Sequence, residues 1–177
     1  MSKPTLATIW LDGCSGCHMS FLDIDERIIQ LGELVDVVCS PIVDQKKFPE
    51  HIDIALVEGS VSTDEDEHKI LLLRQRTRIL VAFGDCAVTG NVPAMRNAFP
   101  LAALFDRAYS ETATFQQQTP TERLPKLLKH ARPVHEIVPI DIYIPGCPPS
   151  ADTIFTVLTE LLAGRVPDIA SLTRIGA

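Results

Sequence analysis

Apolar residues in this chain fall into short β-favouring runs that alternate with longer segments of helical spacing. Five such runs, each bounded by glycine, proline or polar residues, predict strands over 6–11, 33–39, 52–57, 78–83 and 140–144. Apolar positions at helical spacing predict helices over 21–31, 64–76, 93–99, 101–108 and 151–162. Thr63 and Ser150 stand just before two of these helices, where a hydroxyl can cap the first turn. Strands and helices therefore alternate through most of the chain.

Between the fourth and fifth runs, over about 110–138, this regularity is lost. Glutamines, threonines and the prolines Pro120, Pro125 and Pro133 interrupt any period, although a short helix near 124–130 is compatible with the pattern. We interpret the segment as an irregular excursion that lies on the surface or against a partner chain. A low-complexity linker is the alternative interpretation.

The alternation of strands and helices predicts a parallel sheet covered on both faces, because parallel strands need crossover connections. We expect an α/β fold, a flavodoxin-like three-layer sandwich with strand order 2-1-3-4-5, in which ligands bind beyond the carboxyl ends of the strands. With 177 residues, 46% of them hydrophobic, the chain fits a single domain over 1–177 that buries its own core.

Charge and composition narrow the functional classes. The formal net charge of -7, without a basic stripe, argues against nucleic acid as a partner. No apolar run is long enough to span a bilayer and no export signal precedes the first strand, so we expect a cytoplasmic protein without a membrane partner. Five cysteines, an odd number, favour metal binding or redox chemistry over a disulfide framework in a reducing compartment.

Four of the cysteines follow strands of the predicted sheet. Cys14 and Cys17 follow the first strand, Cys86 the fourth and Cys147 the fifth, so three loops should bring four thiols to one sheet edge. Backbone amides at the start of the next helix favour the thiolate form of the first pair. Four thiolates suit a 4Fe-4S cluster or structural zinc. One close pair plus two isolated cysteines, with a proline directly after Cys147, favours the cluster. Cys39, within an apolar strand, is interpreted as a core residue.

The loops also carry a resemblance to a known family. Four motifs resemble, in order, those of the small subunit of nickel-iron hydrogenases: Trp10–Cys17, Val57–Ser60, Gly84–Ala87 and Pro145–Pro149. The resemblance extends from about residue 5 to residue 163. It implies that one proximal 4Fe-4S cluster passes electrons between the nickel-iron centre of a large subunit and further carriers. The implied cluster ligands are Cys14, Cys17, Cys86 and Cys147.

In its short length the chain is similar to the small subunit of soluble, cytoplasmic NAD-reducing hydrogenases. In those enzymes a diaphorase module with flavin and further iron-sulfur clusters takes up the electrons. The resemblance therefore implies an electron-transfer subunit of a hydrogen:NAD oxidoreductase, with no catalytic residues of its own. The implied partners are a hydrogenase large subunit and diaphorase subunits.

Several alternatives remain open at the level of sequence. Among redox enzymes they are the cluster subunit of a complex I-like or F420-linked oxidoreductase, and a hydrogen-sensor subunit. The complex I subunit typically has adjacent cysteines in the first loop, whereas two residues separate Cys14 from Cys17 here. Outside enzymes, the chain could be a zinc-stabilised or flavin-binding regulatory module, although no Ser/Thr-rich phosphate loop follows the first strand.

Four polar residues next to the cysteine loops are further candidates. Glu58, at the end of the third strand, could modulate the cluster or relay protons, or it could cap a loop amide. His18 is interpreted as a solvent-facing residue of the first helical turn, with a hydrogen bond to a sulfur or a partner contact as the alternative. Asp12 and Asp85 are expected to be turn residues that hold backbone amides.

Overall fold

The computed structural model of the protein describes residues 3–177. Its strands are β1 (Thr5–Trp10), β2 (Asp36–Cys39), β3 (Ile52–Glu58), β4 (Val61–Thr63), β5 (Thr77–Phe83), β6 (Leu127–Arg132) and β7 (Ile142–Ile144). Five of them form a parallel sheet in the order β2-β1-β3-β5-β7. Since β5 and β7 are the fourth and fifth predicted strands, the predicted order of the flavodoxin-like α/β sandwich is confirmed.

The helices cover both faces of this sheet. They are α1 (Gly16–Leu22), α2 (Arg27–Leu34), α3 (Asp64–Arg76), α4 (Asp85–Thr89), α5 (Asn91–Ala94), α6 (Leu101–Asp106), α7 (Ala151–Leu162) and α8 (Ile169–Leu172). Short 3₁₀ turns lie at Met95–Ala98 and Val134–Glu136, and a π turn lies at Arg107–Glu111. No helix within residues 3–177 combines the length and the apolar character needed to cross a membrane.

The two helix caps predicted from sequence are present. Thr63 Oγ1 accepts a hydrogen bond from the backbone amide of Asp66 at 3.1 Å, and the Asp66 carboxylate accepts one from the Thr63 amide at 3.0 Å. Ser150 Oγ accepts a hydrogen bond from the Thr153 amide at 3.2 Å. These contacts satisfy donors that a helix start leaves unpaired, and they fix where α3 and α7 begin.

Successive residues of each central strand point to opposite faces of the sheet, which explains the nearly continuous apolar runs. Leu6 and Phe83 are buried in the core that includes α1, α2 and α7. Ala7 and Leu80 are buried in the opposite core, which includes α3. With both faces covered, the loops that leave the carboxyl ends of the strands are the positions where the sheet can present side chains to a ligand.

The beginning of the chain differs in detail from the sequence prediction. The single helix predicted over 21–31 is two helices, α1 and α2, separated by a turn in which Asp25 has a positive φ of 61°. The predicted second strand over 33–39 begins only at Asp36, because Glu33 and Leu34 complete α2. Apolar residues continue at helical spacing from α1 into α2, so the hydrophobic pattern did not reveal the turn between them.

The excursion also contains a strand where the sequence suggested a short helix near 124–130. This prediction was wrong: β6 pairs antiparallel with β4, with Thr63 opposite Leu127 and Val61 opposite Arg132. Three of the six side chains of β6 are exposed and one, Ala131, is buried, so the strand carries no apolar alternation. Its position depends on contacts from elsewhere in the chain, including a hydrogen bond from Arg96 to the carbonyl of Leu128 at 3.1 Å.

Candidate functional site

All four predicted thiols lie in loops or first helical turns at the carboxyl edge of the sheet. Cys14 lies in the loop between β1 and α1, and Cys17 lies in the first turn of α1. Cys86 is the second residue of α4, directly after β5, and Cys147 lies in the loop between β7 and α7. Cys17 is buried, Cys86 is half-buried, and the other two are exposed, and all four are free thiols.

Burial and neighbouring charges raise the pKa values of two of the four thiols. Burial raises the pKa of the Cys17 thiol far above its ordinary value, and the charges of Glu58, Cys86, Cys14 and Cys147 raise it further. Burial also raises the pKa of Cys86 to about 11, with Cys14 and Cys147 again acting in the same direction. The loops therefore bring the four sulfurs near enough for their charges to interact. Without added positive charge the inner two stay protonated at neutral pH.

Glycine at position 84 allows the backbone to approach the buried thiol. A Cβ atom built on Gly84 would lie 2.1 Å from the Sγ of Cys17, and the residue has a positive φ of 83°. A Cβ on Gly16 would lie 3.1 Å from the Sγ of Cys14. Main chain thus lies close to the sulfurs of Cys17 and Cys14, where backbone groups can contact whatever the thiolates bind.

Glu58 caps the helix that carries Cys17. Its Oε1 accepts a hydrogen bond from the Cys17 amide at 3.3 Å, and its Oε2 accepts one from the His18 amide at 2.9 Å. The capping interpretation of Glu58 is therefore confirmed, while a role in modulating a cluster stays a prediction. The carboxylate lies 2% exposed at the end of β3, so its charge is poorly screened.

His18 is not the solvent-facing residue that we expected from sequence. It is 2% exposed, its Nδ1 contacts Oε2 of Glu58, and its Nε2 lies 2.9 Å from the Oγ1 of Thr8. Thr8 Oγ1 in turn lies 2.7 Å from the Oγ of Ser40. The expectation failed because one turn of helix following a cysteine gives no apolar pattern that could show which side faces the sheet.

The two aspartates beside the cysteine loops act as turn residues in different ways. Asp85 Oδ1 accepts a hydrogen bond from the Gly146 amide at 2.7 Å, and its Oδ2 accepts one from the Gly176 amide at 2.7 Å. The prediction that Asp85 holds backbone amides is confirmed. Asp12 instead holds its loop through its main chain, which exchanges hydrogen bonds with Ser60 at 3.1 and 2.8 Å.

One site residue was missed from the sequence. The side-chain amide of Asn91 donates a hydrogen bond to the Sγ of Cys147 at 3.5 Å. The dipeptide Gly90–Asn91 was an available signal, since both residue types favour the positive φ angles that they adopt here, 84° and 30°. Cys39, by contrast, is buried in the core at the end of β2, as predicted.

No three histidine, cysteine, aspartate or glutamate side chains within residues 3–177 lie close enough together to hold a single metal ion. The loops instead bring four sulfur donors to one edge of the sheet. Thiolate sulfur is the donor that iron-sulfur clusters use, and the close backbone around Cys17 and Cys14 fits such a group.

Comparison with known proteins identifies relatives along nearly the whole chain. The model of the NADH ubiquinone oxidoreductase 20 Kd subunit family matches residues 14–161. The delta subunit of the NAD-reducing hydrogenase HoxS of Cupriavidus necator is 42% identical over 174 residues, which are 96% of this chain and 83% of that subunit. A subunit of the F420-non-reducing hydrogenase vhu of Methanocaldococcus jannaschii is 36% identical over 163 residues, covering 91% of this chain. Those residues are 57% of the archaeal subunit, so this chain spans little more than half of its length.

Solved structures agree with these sequence matches. A chain in the crystal structure of an NAD+-reducing [NiFe]-hydrogenase in the H2-reduced state superposes with a TM-score of 0.92 at 42% identity, over 98% of this chain and 99% of that one. A chain of the [NiFeSe]-hydrogenase of Dm. baculatum superposes with a TM-score of 0.61 at 17% identity, over 92% of this chain and 63% of that one. The second likeness shows a shared fold alone.

Proposed function

The chain belongs to the family of the NADH ubiquinone oxidoreductase 20 Kd subunit, and we propose that it is the electron-transfer small subunit of a nickel-iron hydrogenase that reduces NAD. The observation that carries this proposal is its likeness, over 98% of its length and at 42% identity, to a chain of an NAD+-reducing [NiFe]-hydrogenase. The chain would then be one subunit of an oxidoreductase, and its catalytic metals would belong to another subunit.

The proposed ligands of one 4Fe-4S cluster are Cys14, Cys17, Cys86 and Cys147. When bound, such a cluster accepts and releases single electrons at a potential set by its surroundings. This chain's residues would supply the thiolates, hold them in place through Glu58 and Asp85, and keep water from the buried sulfur of Cys17. The raised pKa values of the inner thiols fit this role, because bound iron supplies the positive charge that keeps a thiol deprotonated.

The proposed partners follow from the enzyme class. A large subunit would hold the nickel-iron centre, and diaphorase subunits would hold flavin and further iron-sulfur clusters. The whole chain over 1–177 would act as one cluster-binding domain, in the cytoplasm, where NAD is reduced. Support for this assignment comes from the relative named as a subunit of NAD-reducing hydrogenase HoxS, of which the matched residues make up 83%.

A second candidate function differs only in the electron acceptor. The matching subunit of one archaeal F420-non-reducing hydrogenase is 36% identical, but this chain covers 57% of that relative. A longer subunit of that kind carries segments with no counterpart in the matched residues. An NAD acceptor is therefore the first choice, and the acceptor assay decides between the two.

The test is copurification of the tagged chain from its native cytoplasm, with nickel, iron and acid-labile sulfide measured on the complex and hydrogen-dependent NAD reduction assayed. We expect nickel, iron and sulfide together with that activity. Iron and sulfide without nickel would contradict the hydrogenase assignment in favour of a complex I-like enzyme. Zinc without sulfide would contradict the cluster.

Cysteine variants of the same complex assign the ligands. Replacing Cys86 or Cys147 by serine should remove iron and sulfide from this chain, because a ligand thiolate is lost. Cys39→Ala is the matched control, since Cys39 is a buried cysteine at the end of β2 in the apolar core. It should lower the stability of the fold and leave the iron and sulfide content of the folded protein unchanged.

A further inference from the structure

The first residue of α5, directly after Gly90, places a hydrogen-bond donor next to one of the thiols. Asn91 Nδ2 lies 3.5 Å from the Sγ of Cys147 and donates to it. Cys147 lies in the loop between β7 and α7, so this contact joins two separate segments of the chain.

The backbone conformation at Gly90 and at the start of α5 places this donor. Gly90 has a positive φ of 84°, and Asn91 follows with a positive φ of 30°. A Cβ on Gly90 would lie 3.0 Å from the Cβ of Ala94, which is tighter than side chains normally tolerate. Asparagine is one of the few residues with a side chain that adopts the left-handed region readily. Gly90 and Asn91 thus permit the backbone conformation in which the Asn91 amide reaches the sulfur of Cys147.

A donor to a thiolate sulfur stabilises the form of a cluster that carries more negative charge. Reduction adds an electron, so a hydrogen bond to a ligand sulfur favours the reduced cluster and raises its reduction potential. The Asn91 amide therefore favours negative charge at the Cys147 sulfur.

We propose that Asn91 is a positioning and tuning residue of the cluster site, whose amide donates to the Cys147 sulfur and sets the cluster at a higher reduction potential. The inference rests on the proposed function, because it needs a cluster on these cysteines. The side chain makes no bond to iron and transfers no proton. It changes the driving force for electron flow through this chain by an electrostatic contact at one ligand.

Two substitutions separate the donor from the backbone that carries it. Asn91→Gly keeps the positive φ and removes the amide, and Asn91→Asp keeps the shape and the conformational preference but replaces the donor by a carboxylate. The potential is measured by titration of the purified complex with EPR detection. The signal of this chain is identified as the one that Cys147→Ser removes.

In Asn91→Gly we expect the ratio of reduced to oxidised cluster at a fixed potential to fall by up to about tenfold. This corresponds to a reduction potential that is lower by up to about 59 mV for a one-electron couple. Asn91→Asp should shift the potential further in the same direction, because a negative charge replaces the donor. Asn97→Asp is the matched control: it makes the same chemical change at the other asparagine, whose amide bonds to the Ala131 carbonyl at 2.7 Å. It should titrate like the unmodified complex.

Three results would overturn the inference, and they have different meanings. If both Asn91 variants titrate at the unmodified potential while holding full iron and sulfide, the contact has no tuning role. If both lose the cluster while Asn97→Asp retains it, Asn91 acts in assembly and not on the potential. If the unmodified complex contains no iron and sulfide on this chain, the proposed function fails, and the role of Asn91 fails with it.

Discussion

The carboxylate of Glu58 and the imidazole of His18 contact each other in the interior of the protein, each only 2% exposed. Glu58 also accepts hydrogen bonds from the backbone amides of Cys17 and His18. One carboxylate thus contacts both the main chain and a side chain of the first turn of α1. The same charge raises the pKa of the neighbouring Cys17 thiol. Glu58 thus acts on the thiol site both as a cap and as a source of negative potential.

Replacing Glu58 by glutamine removes that negative charge while keeping the size of the side chain. We expect the reduction potential of the proposed cluster to rise, since the added electron is no longer repelled. The protein should also lose about 2 kcal/mol of stability, because an amide offers one acceptor where two backbone donors need acceptors. EPR-detected titration of the purified complex measures the potential. Glu160→Gln, at a carboxylate paired with Arg165 on the surface, is the control. An unchanged cluster and unchanged turnover would leave Glu58 with the capping role alone.

Gly84→Ala tests whether the site depends on the close approach of main chain to sulfur. The new Cβ would lie 2.1 Å from the Cys17 Sγ, and alanine at a φ of 83° and a ψ of 160° adds about 1–3 kcal/mol of strain. We expect the complex to lose most of the iron and sulfide of this chain, as measured by metal and sulfide analysis. The matched control is Gly32→Ala in α2, where an added Cβ meets no atom within 4 Å. Full iron and sulfide in Gly84→Ala would mean that the sulfur of Cys17 is placed elsewhere.

Asp85→Asn should loosen the loop that carries Cys147. The aspartate is 3% exposed and accepts from the amides of Gly146 and Gly176, both at 2.7 Å. An asparagine has one acceptor oxygen, and its NH2 group would face a backbone donor. We therefore expect the free energy of unfolding to fall by about 2 kcal/mol. Hydrogen-deuterium exchange should become faster at positions 146–147 and 176–177. Asp12→Asn is the control, since Asp12 holds its loop through backbone hydrogen bonds. Equal exchange in both variants would contradict the role of the Asp85 side chain.

The sheet and the positions of the four thiols could be predicted because each depends on a strong local pattern. Buried parallel strands require continuous apolar runs, and parallel pairing brings their carboxyl ends to one edge. The features that sequence reasoning missed depend on contacts between distant segments. The strand β6 buries one of its six side chains and is held by its partner β4 and by Arg96. His18 is buried against Glu58 and Thr8, which lie on neighbouring strands, and against the rings of Trp10 and Phe83.

The final prediction concerns pH and lies at the other end of the sheet, where Asp53 joins β3 to β1. Its carboxylate accepts hydrogen bonds from the Thr5 amide at 2.9 Å and from the Thr5 hydroxyl at 3.0 Å. The backbone hydrogen bond from Thr5 is the largest cause that holds the pKa of Asp53 below its ordinary value. The Thr5 hydroxyl and the charges of Arg78 and His51 act in the same direction, and burial opposes them.

A pKa that is lower in the folded state than in the unfolded state stabilises the fold at pH values above the unfolded pKa, about 3.9 for aspartate. That contribution disappears as the pH falls through the folded pKa, where the carboxylate takes up a proton in both states. Asp53→Asn should therefore reduce the free energy of unfolding by about 1 kcal/mol at about pH 7. The difference from the unmodified protein should shrink as the pH falls below about 4. Denaturant unfolding of the full chain at several pH values measures it, with the exposed Asp44→Asn as control. A difference that is the same at all pH values would show that Asp53 stabilises the fold by packing and not by its charge.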